Sequence, residues 1–264
     1  MATIVFFHAH PDDESMATAG TMAKLSADGH RVVLVTATDG AEGEHPEGFL
    51  AEGENLADRR RLELEESAKV LGVARLEMLG YPDSGMMGTP ANDNPDCFWR
   101  ADVGEAAARL AAILEEERPD AFTCYDENGN YGHPDHIQVH RVGVAASETA
   151  GVPRRYMATI NRDRVIALIA MAREAGMDLG GVDAEAGEID FDTFGVPESR
   201  ITTEIDVSGF LAEKRRSMES HPSQIQGEGF PLGMPDEAFG LAFGREFYVR
   251  IGAERSEPLE DSLI

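Results

Sequence analysis

Short apolar, β-branched runs alternate with segments of helical period along the first 160 residues, and this alternation constrains the fold more than any other feature. Thr3–Phe7 predicts a buried strand, Ser15–Ala27 a helix, and Arg31–Thr36 a second buried strand. Asp58–Leu71 returns to helical period before Gly72, Arg75–Leu79 reads as a third strand, and Val103–Glu117 as an amphipathic helix. Ala121–Tyr125, a helix over Pro134–Ala150 with proline in its first turn, and Tyr156–Ile160 complete the series. Such a series predicts an α/β chain with a mostly parallel sheet and helices on both faces. The remainder is less regular. Val165–Ala175 and Phe210–Ser220 predict helices, Phe247–Ile251 a late strand, Gly180–Pro197 an acidic loop and Ser256–Ile264 a loose tail.

Charge removes several functional classes. The chain carries 49 acidic and 23 basic residues, a net charge of −26. Nucleic acids and anionic membrane surfaces are poor partners for such a protein. Nothing is apolar over a bilayer's thickness, and Met1–Phe7 is too short and uncharged for a signal peptide, so a cytoplasmic protein is expected. The two cysteines, Cys97 and Cys124, form neither a disulfide framework nor a zinc ribbon. A bound metal would therefore rest on His, Asp and Glu.

Two segments supply those residues. His8-Ala9-His10-Pro11-Asp12-Asp13-Glu14 follows the first strand, and Tyr131-Gly132-His133-Pro134-Asp135-His136 follows the fourth. Ligand sites of open α/β sheets form outside the carboxyl ends of strands, where distant segments can meet. His10, Asp13 and His136 offer the two imidazoles and one carboxylate of a catalytic zinc site, which leaves a position for water. Asp12 is the candidate base for that water, and His133 could protonate a leaving nitrogen or stabilise an oxyanion. A plainer reading exists: Asp12 and Asp13 would suit a helix amino end, and His133–His136 a polar helix start. Two His-Pro-Asp segments at equivalent strand ends weigh against it. The same donors suit iron(II), so an iron oxygenase is a rival class. A dinucleotide-binding protein is disfavoured because no Gly-x-Gly-x-x-Gly follows the first strand.

Ala9–Glu14 (AHPDDE) and His133–His136 (HPDH) resemble the paired motifs of the PIG-L (LmbE-like) family of zinc-dependent N-deacetylases. Arg60–Leu64 is similar to that family's Arg-x-x-Glu-Leu helix, Asp83–Met86 to its Asp-Ser-Gly-Met loop, and His221–Gln224 to a late His-x-Ser-Gln. Asn130 departs from the pattern, standing where a second glycine is common. The resemblance is nearest the actinobacterial branch that holds the N-acetylglucosaminyl-inositol deacetylase and the mycothiol S-conjugate amidase. It implies a Rossmann-like core over residues 1–160, with residues 161–264 completing the substrate pocket in the same domain or as a small appendage. It also implies His10, Asp13 and His136 as metal ligands, Asp12 as general base, and His133 as a charge-stabilising acid oriented by Asp135. Tyr131 would polarise the substrate carbonyl, and Arg60, Asp83 and Met86 would line the pocket. The implied cofactor is Zn2+, with Fe2+ an alternative in the cell. The implied substrate is a small N-acetylglucosamine-type amide. A larger mycothiol-like S-conjugate is the alternative, and a non-catalytic sugar-binding protein the contrasting class. A homo-oligomer is compatible with each.

Overall fold

The computed structural model describes residues 1–174, 191, 193–227 and 229–264. Seven strands form one sheet: β1 (Thr3–His8), β2 (Arg31–Thr38), β3 (Arg75–Tyr81), β4 (Ala121–Tyr125), β5 (Arg154–Thr159), β6 (Thr203–Asp206) and β7 (Arg245–Arg250). Their order is β3-β2-β1-β4-β5-β7-β6. The first five run parallel, β7 is antiparallel to β5, and β6 is antiparallel to β7. Ile4, Val5, Phe6 and Phe7 of β1 and Val32–Val35 of β2 have no exposed surface. These continuous apolar runs belong to strands covered on both faces.

The helices are α1 (Asp13–Ala17), α2 (Ala19–Ala27), α3 (Leu56–Val70), α4 (Val103–Glu117), the single turn α5 (Gly129–Gly132), α6 (Pro134–Thr149), α7 (Arg162–Glu174), α8 (Leu211–Glu219) and α9 (Asp236–Phe243). Right-handed crossovers divide them. The connections β1–β2 and β2–β3 step one way along the sheet, whereas β3–β4 and β4–β5 step the other. Accordingly α8 packs with α1, α2 and α3, while α4 packs with α6. Strand order reverses between the adjacent, parallel strands β1 and β4, and the crevice at their carboxyl ends is the topological switch point.

Two expectations differ from the structure, and two of its elements show no pattern in the sequence. The helix expected over Ser15–Ala27 is broken at Thr18 (φ −138°, ψ 6°). The break lets the Glu246 carboxylate of β7 accept the amides of Gly20 and Thr21 at 2.9 and 2.8 Å, capping α2 from a distant strand. β6 escaped sequence reading because four residues are too few to show a period. The helix α9 was likewise not anticipated. The expected loose tail is anchored instead, with Leu263 fully buried and Glu260 bridged to Thr203. Most of the acidic segment 180–197 lies outside the described residues. Among the described residues no helix is long and apolar enough to cross a membrane.

Glu246 is itself held by Lys214 of α8, whose Nζ lies 2.6 Å from its carboxylate and 2.9 Å from the Met16 carbonyl. Both side chains are buried. Removing one partner of such a pair strands the other charge in a low dielectric. Lys214→Ala is therefore expected to lower unfolding stability by roughly 3–5 kcal/mol, read as a fall in the urea midpoint with an unchanged slope.

Candidate active site

The turn after β1 delivers His10 and Asp12, and Asp13 opens α1. The loop after β4 delivers Tyr131 and His133, and α6 presents Asp135 and His136 in its first turn. His133 is the N-cap of α6: its Nδ1 accepts the Asp135 amide at 3.1 Å, with Pro134 following. The approach to α6 needs unusual backbone. Asn130 sits at φ 68°, in the left-handed region that asparagine tolerates better than most residues, which accounts for glycine being common there. At Gly129 (φ 60°) a Cβ would stand 2.4 Å from the Cβ of His136.

His10, Asp13 and His136 meet. His10 Nδ1 lies 3.3 Å from Asp13 Oδ2, His136 Nε2 lies 3.3 Å from Asp13 Oδ1, and the two nitrogens are 3.3 Å apart. Donors about 2.0–2.1 Å from a shared tetrahedral ion stand about 3.3–3.4 Å apart. The three residues thus fit zinc, and as two imidazoles and a carboxylate they fit iron(II). Distance alone also allows His133 to join His10 and His136. Its tautomer argues otherwise: with Nδ1 accepting an amide hydrogen, the neutral ring carries its proton on Nε2, and a protonated nitrogen does not ligate.

The surrounding charges demand a cation. His10 Nε2 approaches Asp135 at 3.2 Å and Asp83 at 3.5 Å. Burial pulls the His10 pKa down, but Asp13, Asp135 and Asp83 outweigh it and hold His10 well above its usual range. For Asp13, burial opposes ionisation, yet His136 and His10 keep it well below the ordinary carboxylate value. Asp135 contacts differ from expectation. Its carboxylate accepts the Ser84 amide at 2.9 Å and the Ser84 hydroxyl, and its remaining contact is His10. It therefore orients His10, and only its backbone amide engages His133.

Asp12, between His10 and Asp13 in the chain, has a strained backbone (φ 123°, ψ −26°), a conformation that costs on the order of 1–3 kcal/mol. Burial raises its pKa to about 6, against the opposing charge of Arg60. The Arg60 guanidinium donates to Asp12 at 2.9 Å and to the carbonyls of Pro11 and Gly40. Expected to line the pocket, Arg60 is buried beneath Asp12. Asp83 accepts the Gly85 amide at 2.9 Å, and Met86 is half exposed on the same loop. Tyr131 places its hydroxyl 3.2 Å from His136 Nε2, and burial raises its pKa. The His133 pKa falls to about 3 through burial and the charges of His10 and His136.

Residues not foreseen complete the setting. Tyr125 stacks on His136 with ring centroids 4.7 Å apart, and its hydroxyl meets His8 Nδ1 at 2.6 Å. His8 Nε2 meets Thr18 Oγ at 2.8 Å. His221, whose role spacing left open, places Nε2 2.6 Å from Glu14. Glu14 and Ser84 lie inside the AHPDDE and Asp-Ser-Gly-Met segments and Tyr125 ends the fourth strand, but spacing alone gives none of them a partner.

The GlcNAc-PI de-N-acetylase family, PIG-L, matches residues 5–147. The chain belongs to this family. Relatives extend the likeness over the full length. A 1D-myo-inositol 2-acetamido-2-deoxy-alpha-D-glucopyranoside deacetylase of Thermomonospora curvata is 40% identical over 98% of this chain and 93% of that protein. One of Streptomyces avermitilis is 38% identical over 98% and 95%. PIG-L membership and these relatives make the chain a deacetylase, an amide hydrolase dependent on a metal. Solved structures share its fold. An N,N'-diacetylchitobiose deacetylase from Pyrococcus horikoshii superposes with TM-score 0.56 at 22% identity, covering 95% of this chain and 84% of that one. The hydratase GalB from Pseudomonas putida does so with TM-score 0.61 at 16% identity, covering 98% and 100%.

Losing the partner of a ligand-orienting carboxylate typically weakens a metal site about 10–100-fold. Asp135→Asn is expected to lower zinc affinity by that order, measured by competition with a chromogenic chelator, with the fold intact by circular dichroism.

Proposed function

We propose that this PIG-L enzyme removes the acetyl group from an N-acetylglucosamine carrying an inositol or similar polyol, with zinc held by His10, Asp13 and His136. The observation that carries the reading is the placing of Asp12 and His133 beside the three-donor triangle, in a chain about 40% identical over its length to inositol-glycoside deacetylases. When bound, the metal supplies the Lewis acidity that makes water a nucleophile near neutral pH.

The chain's own residues do the rest. The Asp12 carboxylate takes the proton of the attacking water, and a pKa near 6 leaves it ionised at neutral pH. The proton then passes from Asp12 to the leaving nitrogen, so that acetate and amine are the products. His133 works as a neutral ring. Its Nε2–H donates to the substrate carbonyl oxygen and strengthens as that oxygen gains charge. This favours oxyanion stabilisation over the alternative, proton donation by an imidazolium, because a second proton on Nδ1 would face the Asp135 amide. The Tyr131 hydroxyl supports the same oxygen. Asp135 fixes the ring of His10, and Arg60 fixes the carboxylate of Asp12.

A second reading keeps the mechanism and enlarges the substrate. Met86 and Met87 are both about half exposed, two and three residues beyond Ser84. An apolar rim of this kind would suit the bulky group of an S-conjugate amide. Acetate release from N-acetylglucosaminyl-inositol, compared with cleavage of an S-conjugate amide, decides between them. The inositol glycoside is expected to have the higher kcat/KM, and the reverse order would establish the amidase.

Two variants test the roles. Asp12→Ala should keep one zinc per chain and lose nearly all turnover; parental turnover would remove Asp12 as base. His133→Ala should also keep its zinc and lose about 10²–10³-fold in kcat, the range for one oxyanion donor. Zinc loss in His133→Ala would make it a ligand.

A further inference from the structure

The carboxyl-terminal part reaches the reaction through a buried chain of polar side chains. The Asp12 amide donates to Glu14 Oε2 at 3.0 Å. The other oxygen of Glu14 accepts His221 Nε2 at 2.6 Å and the Ser67 hydroxyl at 2.5 Å. Ser67 in turn accepts from Ser217 at 2.7 Å, since its own hydrogen goes to Glu14. Glu14, Ser67, Ser217 and His221 are all inaccessible to solvent. Glu14 therefore cannot form its bonds with water, and each of its donors has a fixed place.

We propose that Glu14 and His221 form a positioning pair that holds the backbone of Asp12 in its strained conformation and so aims the general base. This rests on the reading of Asp12 as base. Left to itself, Asp12 would leave φ 123° for an ordinary region and turn its carboxylate away. Two devices prevent this. Arg60 of α3 grips the carboxylate at 2.9 Å, and Glu14 grips the amide. Glu14 stays in place because His221, 207 residues later, closes on it. The neighbouring side chains follow the same logic. Ser223 donates to Glu63 of α3 at 2.6 Å, and Gln224 donates to the Glu44 carbonyl at 3.1 Å. The segment His221–Gln224 thus locks onto the helix that carries Arg60 and onto the turn that carries Asp12.

Neither Glu14 nor His221 is placed to touch substrate, so their loss should act on kcat through Asp12. The test is steady-state acetate release by the zinc-loaded full-length chain with N-acetylglucosaminyl-inositol. His221→Ala is expected to lower kcat about 10–100-fold, the usual cost of removing an outer-shell partner, with KM changed less than about twofold and zinc content unchanged. His221→Gln, whose amide can still donate to Glu14, should recover most of the loss. In an Asp12→Ala background, His221→Ala should cost less than about twofold more, because residues acting as one unit are non-additive. Parental kcat in His221→Ala, no recovery with glutamine, an equal loss in the Asp12→Ala background, or loss of zinc would each overturn the positioning role. Should His221→Ala fail to fold, the nearly isosteric Glu14→Gln is measured in the same way. If Asp12→Ala is inactive but these variants are not impaired, only the positioning role falls. If Asp12→Ala retains turnover, the functional reading falls first.

Discussion

Everything at the switch point is arranged around one electrostatic necessity. Asp13 lies 3.3 Å from a nitrogen of each of two buried histidines, with Asp83 and Asp135 behind the first. Buried carboxylates in such number are stable only around positive charge. The fold contributes rigidity to this cluster. His10 is carried by the turn after the buried central strand β1, and His136 by the first turn of a helix whose cap is His133. Tyr125 fills the space beneath His136 and is itself tied to His8 and Thr18. The directions of these side chains are thus fixed by packing, which is what a metal site needs if binding energy is not to be lost in ordering it.

The resemblance implies that residues 161–264 complete the substrate pocket; the described residues of that part also brace the site from behind. Glu246, held by Lys214, caps α2, while His221 bonds to Glu14, Ser223 to Glu63 of α3 and Gln224 to the Glu44 carbonyl. β6 and β7 extend the same sheet, so the later residues brace the switch point from one side.

Much of this was legible in the sequence because it rests on local patterns. The buried strands β1 and β2 show as apolar runs, and the site shows as two His-Pro-Asp segments at strand ends. What was not legible depends on partners distant in the chain. The break at Thr18 is invisible locally, since α2 owes its cap to Glu246, more than 220 residues away. The resemblance pairs Asp135 with His133, whereas its carboxylate contacts His10 and Ser84, partners distant in the chain. The resemblance implies Arg60 as a pocket residue; here it is buried against Asp12, a partner 48 residues away. The four residues of β6 and the anchored tail are held by pairing with Tyr248 and Glu260, which no period reveals.

The same sheet order can carry other chemistry. A hydratase superposes on this chain as well as the deacetylases do, with TM-scores near 0.6 in both cases. Fold likeness alone therefore leaves the reaction open, and the side chains must decide it. Two features here point to amide hydrolysis. One is a carboxylate beside the metal triangle with its pKa lifted to about 6, suited to accepting a proton from water and returning it to an amine. The other is a neutral histidine whose free N–H is fixed in direction because its second nitrogen caps a helix. Capping α6 and presenting an Nε2–H are thus one requirement on His133, since the bond that starts the helix also sets the tautomer; in the mechanism proposed above that N–H is the oxyanion's donor. A residue that capped through oxygen, such as serine or aspartate, would start α6 equally well and leave the reacting carbonyl without that donor.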